Sequence, residues 1–264
     1  MNVPWQAALT AQAIVMTAMV ALWLWSLRLR NASIVDPFWG PAFVLTAWVA
    51  AGMHRPLSWR AALMLGLVTV WGLRLAGYLL RRNVGHGEDR RYAEMRRHHG
   101  DRFPLVSLGT VFLLQGFLVG LIAWPVVCGV ADPGTAPWGI ADGAGLLLWA
   151  TGFAFETIGD GQLARFQRDP RSRGRVLDRG LWRYTRHPNY FGEFCMGWGY
   201  WLLAVAAGGA WTIFSPVVMS FLLLRVSGVS LLEQTIGDRR PEYAAYQRRT
   251  SAFWPWPPRR SSKT

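Results

Sequence analysis

Long apolar runs separated by short polar segments set the pattern of this chain. Seven stretches, near 5–27, 34–53, 59–80, 107–131, 138–158, 190–207 and 211–230, are apolar for long enough to cross a hydrocarbon layer of roughly 30 Å as helices. The sixth is short, and a dense polar motif hides its start. The pattern predicts an all-α, polytopic membrane protein forming a single integral-membrane domain. Residues 1–104 hold the first three spans and 105–264 the rest.

Charge then orients the spans. Arg28 and Arg30 separate spans one and two, seven Arg fall between Arg81 and Arg102, and eight fall between Arg165 and Arg186. Seven more basic residues follow the last span, from Arg239 to Lys263. The alternate side carries only Arg55 and Arg60. The positive-inside rule therefore puts the N-terminus outside and the C-terminus in the cytosol, in keeping with an odd number of spans. Basic residues follow the first apolar run instead of preceding it, which predicts a retained span and not a cleaved signal peptide.

Composition narrows the class further. The net charge of +13 invites a nucleic-acid reading, but nucleic-acid-binding domains do not carry such apolar runs, so no nucleic-acid partner is expected. Nearly all of the charge is Arg, with Lys263 the only lysine. Cys128 and Cys195 are too few for a disulfide framework and read as packing residues. The five His show no metal-ligand spacing, and neither a GxGxxG nor a P-loop is present.

Ionisable groups inside apolar spans are expensive, so each is a functional candidate. Asp36, in Ser33-Ile-Val-Asp-Pro-Phe-Trp39-Gly, reads either as an N-cap of span two or as a desolvated carboxyl that donates a proton. Trp39 lies three residues on, over the same face. In span three, Trp71 precedes Arg74 and Tyr78, which are four apart and so neighbours on a helix. Arg74 either snorkels to the interface or, with Tyr78, offers a fixed charge and a phenol to a buried ligand. Glu156 and Asp160 share one face where span five enters the Arg-rich connection, which requires cations or ligand hydroxyls nearby.

The densest signal is Gly180-Leu-Trp-Arg-Tyr-Thr-Arg186-His187-Pro-Asn189-Tyr190-Phe-Gly-Glu193. Pro188 can open a helix, which puts Asn189 and Glu193 on one face a turn apart. An amide and a carboxylate together satisfy a carboxamide or hydroxyl-rich ligand. Arg186 and His187 lie in a connection able to wrap a phosphate. The tail from Glu233 through Tyr246, Arg248 and Arg249 to Phe253 reads as an amphipathic helix. It either lies on anionic membrane lipid or folds back over a nucleotide site.

The segment Gly180–Glu193, together with Glu233 and Arg239–Phe253, resembles the C-terminal domain of the membrane steroid 5α-reductase superfamily. Asp36–Gly40 and Trp71–Tyr92 resemble its bacterial seven-span branch. The resemblance implies a seven-helix bundle in the bacterial inner membrane, holding NADPH from the cytosolic side. It implies reduction of a carbon–carbon double bond conjugated to a ketone, in a steroid-like or other lipidic enone. Asn189 and Glu193 then resemble the cofactor-contacting pair, Asp160 and Arg168 the acid and cation of the preceding helix, and Arg248 or Arg249 the tail cation near the phosphates. Tyr190, Glu233 and Tyr246 fall in the same cofactor segments. Mammalian members polarise the ketone with a second-helix Glu and a third-helix Tyr; here Asp36 would be the acid, Trp71 stands near the place of the Tyr, and Tyr78 is the nearest phenol. Catalysis is thus expected from Asp36, Tyr78 and Arg74, with Trp39 and Trp71 against substrate. A monomer is expected. The rival reading is an isoprenylcysteine-type methyltransferase using S-adenosylmethionine, which carries a similar Arg-His-Pro-x-Tyr-x-Gly segment.

Overall fold

The structure, a computed structural model, describes residues 4–226 and 242–259. Among these residues the ordered elements are helices, and one isolated bridge pairs Thr185 with Ser251. The chain divides into two compact units, Met1–Gly139 with Leu203–Ser215 and Ile140–Leu202 with Pro216–Thr264. The first unit takes in the fourth apolar segment, which packs on the first two.

The first unit runs through α1 (Trp5–Leu29), a 3-10 segment (Ala32–Phe38), α2 (Trp39–Met53), α3 (Trp59–Asn83) and α4 (Arg90–His99). It continues with α5 (Phe103–Ser107), a π-helical stretch (Leu108–Leu113), α6 (Leu114–Ile122) and α7 (Trp124–Val130). Local chemistry sets several of these ends. Asn31 caps the 3-10 segment by accepting from the Ser33 N–H, and Ser58 caps α3 by accepting from Ala61. A Cβ on Gly40 would lie 2.4 Å from the Gly72 carbonyl oxygen, so α2 and α3 meet backbone to backbone only because both positions are glycine.

Among the described residues, four helical segments are long and apolar enough to cross a membrane: Trp5–Leu29, Ala32–Met53, Trp59–Asn83 and Arg90–Ile122. They take in the first four predicted spans, with one correction. The run 107–131 is not one helix. It breaks at Ala123, and Pro125, which has no N–H to give to the preceding turn, sits in the first turn of α7. Arg60 is a second correction. Counted from sequence among the charges of the Arg-poor side, it is fully buried, 2.8 Å from Asp132, and its guanidinium also donates to the Pro137 carbonyl.

The second unit holds α8 (Ile140–Arg168), a 3-10 turn (Gly180–Arg183), the start of α9 (Pro188–Ala206), most of α10 (Phe214–Phe221) with its π-helical extension Leu222–Val226, and α11 (Tyr243–Arg249). Ala210–Val226 forms a shorter apolar helical segment. α8 outlasts its apolar stretch by ten residues, so Arg165 and Arg168 stand on its last turns and not in a loop. Gly145, Gly152 and Gly159 recur every seven residues along it. A Cβ on Gly152 would sit 2.4 Å from the Gly192 carbonyl of α9, and one on Gly199 would sit 2.8 Å from the Gly145 carbonyl. The two helices therefore share a glycine seam.

Candidate functional site

The glycine seam brings the polar residues of α8 and α9 into one layer. Glu156 and Asp160 are 1% and 3% exposed. The Glu156 backbone lies against Gly192, next to Glu193, and Gly159 lies against Pro188 and the Asn189 N–H. Two buried groups and two half-buried ones, separated by up to 37 positions, thus share one stretch of the seam. Pro188 opens α9, which puts Asn189 and Glu193 a turn apart on the same helix. The side-chain oxygen of Asn189 is buried and accepts no hydrogen bond. A buried acceptor left in that state costs free energy, so the position suits a ligand that brings a donor. His187, almost fully buried, stacks on Tyr190 with ring centroids 5.5 Å apart.

The connection ahead of this seam is knitted to the tail. Arg186 donates to the carbonyls of Gln247 (3.0 Å) and Thr250 (2.6 Å). Its own N–H donates to Ser251, and the Thr185 hydroxyl donates to the Phe253 carbonyl. The buried Tyr246 hydroxyl donates to the Trp182 carbonyl, and burial pushes this phenol above its ordinary pKa. Arg186 and Tyr246 thus tie the tail down, a task their assignment to the cofactor had not included. The tail packs on the 182–186 connection, and its described helix is limited to Tyr243–Arg249. Arg249 pairs with Asp178, while Arg248 and Arg168 are exposed. Glu233 lies outside the described residues.

A cleft of about 440 Å³ opens where α8 ends, lined by Gln162, Arg165, Phe166, Asp169, Leu177, Arg179 and Gly180. Gln162 holds its far wall by accepting from the Leu181 N–H. The lining sets the Arg165 and Arg179 guanidinium groups beside Phe166 and the Asp169 carboxylate, and the two cations suit an anionic ligand.

In the first unit the second polar cluster centres on Asp36. This residue is not the N-cap of α2, since α2 starts at Trp39 behind Phe38, which makes no side-chain cap. Its carboxylate accepts from the Tyr92 hydroxyl at 2.7 Å and from Arg91 at 3.0 Å. Gln115 reaches the same Tyr92 hydroxyl at 3.4 Å. Next to it, Glu88 accepts from the Ala32 N–H and holds Arg96 through both carboxylate oxygens. The sequence reading missed Tyr92. Its signal was a lone aromatic in the charged run Arg90-Arg-Tyr-Ala-Glu-Met-Arg-Arg, and it is 6% exposed. Tyr78 and Arg74 are half-buried on α3. Trp39, Phe43 and Trp71 form an edge-to-face chain with centroids 5.5 and 5.4 Å apart. Among the described residues no group of His, Cys, Asp and Glu could hold a metal ion.

Long apolar helices with polar clusters built into their packing define an α-helical membrane protein. The chain belongs to the family described as proteins of unknown function, DUF1295, whose model matches residues 22–250. This family is related to steroid 5α-reductase-like membrane proteins. The chain is also 26% identical over 261 residues to the uncharacterized protein C594.04c of Schizosaccharomyces pombe, covering 89% of this chain and 75% of that one. No solved structure matches it.

Proposed function

We propose that this protein reduces a carbon–carbon double bond conjugated to a ketone in a steroid-like or other lipidic enone, using NADPH. The observation that carries the reading is the α8–α9 seam, where the buried, unpartnered Asn189 oxygen stands with Glu193, Glu156 and Asp160. A nicotinamide carboxamide brings the donor that Asn189 lacks. Arg165 and Arg179 of the cleft, with Arg168, offer charge-assisted partners to its phosphates. NADPH supplies a hydride when bound.

The protein's own residues supply the rest. Hydride addition at the β-carbon leaves negative charge on the ketone oxygen, which a fixed donor stabilises. Asp36 and Tyr92 are proposed for that role, with Arg74 and Tyr78 as the further candidates. The Tyr92 hydroxyl donates to Asp36, whose carboxylate also pairs with Arg91, and this phenol is proposed as the proton donor. Asp36 acts by orienting it. Trp39 and Trp71 are proposed to contact the apolar substrate. The helices at 140–168, 188–206 and 210–226 complete seven spans in this reading. The N-terminus is then outside and the cofactor residues face the cytosol of a bacterial cell.

Binding and turnover separate these roles. Asn189→Ala should abolish NADPH binding followed by fluorescence titration, and with it turnover. Tyr92→Phe, which removes the proposed proton donor, should keep NADPH affinity while losing about a hundredfold or more in single-turnover reduction of an enone, and Asp36→Asn should show the same pattern with a smaller loss. NADPH should bind more tightly than NADH, and the preference should shrink as salt rises. Equal affinity for the two, or binding of S-adenosylmethionine in their place, overturns the reading.

A further inference from the structure

The last described residues leave the protein's surface unusually apolar. Phe253 is buried against Phe191 and Phe194 of α9, at centroid distances of 5.9 and 5.5 Å. Trp254 touches the same two rings yet is 57% exposed, and Trp256 is 69% exposed. The rings extend an aromatic stripe of α9, Phe191, Phe194, Trp198 and Trp201, spaced three and four residues apart. Pro255, Pro257 and Pro258 have no N–H to leave unsatisfied in a poorly hydrated layer. Arg248 and Arg259 flank the segment, both exposed. Exposed indoles beside guanidinium groups, at the polar end of an apolar helix, match the chemistry of a bilayer interface carrying negative charge.

The same segment grips the connection that leads into Asn189. The Trp256 backbone N–H donates to the Tyr184 carbonyl at 3.0 Å, and the Phe253 carbonyl accepts from the Thr185 hydroxyl at 2.8 Å. We infer that residues 253–259 dock on anionic phospholipid headgroups at the bilayer interface, and that this docking holds the 184–187 connection in place. The inference does not depend on which cofactor or substrate the protein uses.

Full-length protein carrying Pro258→Cys, labelled with an environment-sensitive dye, tests it; Cys128 and Cys195 are buried and label poorly. In nanodiscs of phosphatidylcholine with phosphatidylglycerol the dye should shift to the blue and be quenched by lipids spin-labelled near the headgroup. Amide exchange at 184–187 should then be about fivefold slower than in phosphatidylcholine alone, the scale expected for one basic residue near a charged surface. Arg248→Gln with Arg259→Gln should erase the lipid preference. Trp254→Ala with Trp256→Ala should return both dye and exchange to the undocked values. Trp254→Phe with Trp256→Phe, which keeps the ring packing, should fall between. A dye that stays in water in both lipids overturns the anchor, equal behaviour in the two lipids overturns its anionic partner, and exchange that ignores docking overturns the coupling.

Discussion

Glu88 shows how one side chain holds two segments of the first unit. Burial alone would push its carboxyl up. The hydrogen bonds from Arg96 and the Ala32 N–H, with the Arg96 charge, outweigh that and leave it below the ordinary value of 4.5. A carboxyl depressed in the folded state contributes stability above its unfolded pKa, and that contribution is lost as pH falls through the folded value. Glu88→Gln should therefore melt below wild type at about pH 7, and the gap should close as the pH falls below 4.5 and through the carboxyl's lowered value. A gap of the same size at both ends would mean that the charge on Glu88 does nothing. Its neighbour Asp36 marks the limit of reading residues one helix at a time. Helical spacing relates Arg74 to Tyr78, but the phenol that reaches Asp36 is Tyr92, 56 positions away. Nothing in local periodicity reports a pairing made by folding the 84–96 segment back on the 3-10 turn.

Among elements, the α8–α9 seam is the most exacting contact. Gly192→Ala would drive a methyl to 2.5 Å from the Gly152 carbonyl, backbone that cannot step aside. The cost should be about 1–3 kcal/mol, as for other overpacked contacts. Gly161→Ala on α8 meets nothing within 4 Å and, by helix propensity, should be neutral or stabilising. Thermal melts of the two variants in detergent decide the matter, and equal melting would separate the helices. The spacing of Gly145, Gly152 and Gly159 was visible in the sequence, but only the facing Gly192 and Gly199 give it meaning. Helix ends were less legible. Span five was closed at 158 because hydropathy falls there, whereas Gln162, Leu163, Ala164 and Arg165 carry the helix on to Arg168.

At the scale of the whole molecule, charge asymmetry is the argument for orientation, and Arg60 sharpens it. With its guanidinium buried against Asp132, only Arg55 remains on the poorer side as a loop charge. Reporter fusions at Pro133 and Gly208 should report outside, and fusions at Gly87, Arg173 and Thr264 inside. Fusions at Gly87 and Pro133 on the same side would refute the number of crossings between them.

Helical class, membrane residence and the approximate positions of the apolar helices follow from the sequence by itself, because each depends on composition within a window that the helix contains. So does the gathering of Asn189 and Glu193 on one helix face, which needs only Pro188 and a period of 3.6. The tertiary structure decided what depends on distant pairing. It set Arg60 against Asp132, Tyr92 against Asp36, and Arg186 against the tail, and it laid the glycines of α8 on those of α9. In each case the partner is remote in sequence, and only the packed chain brings the donor within reach of its acceptor.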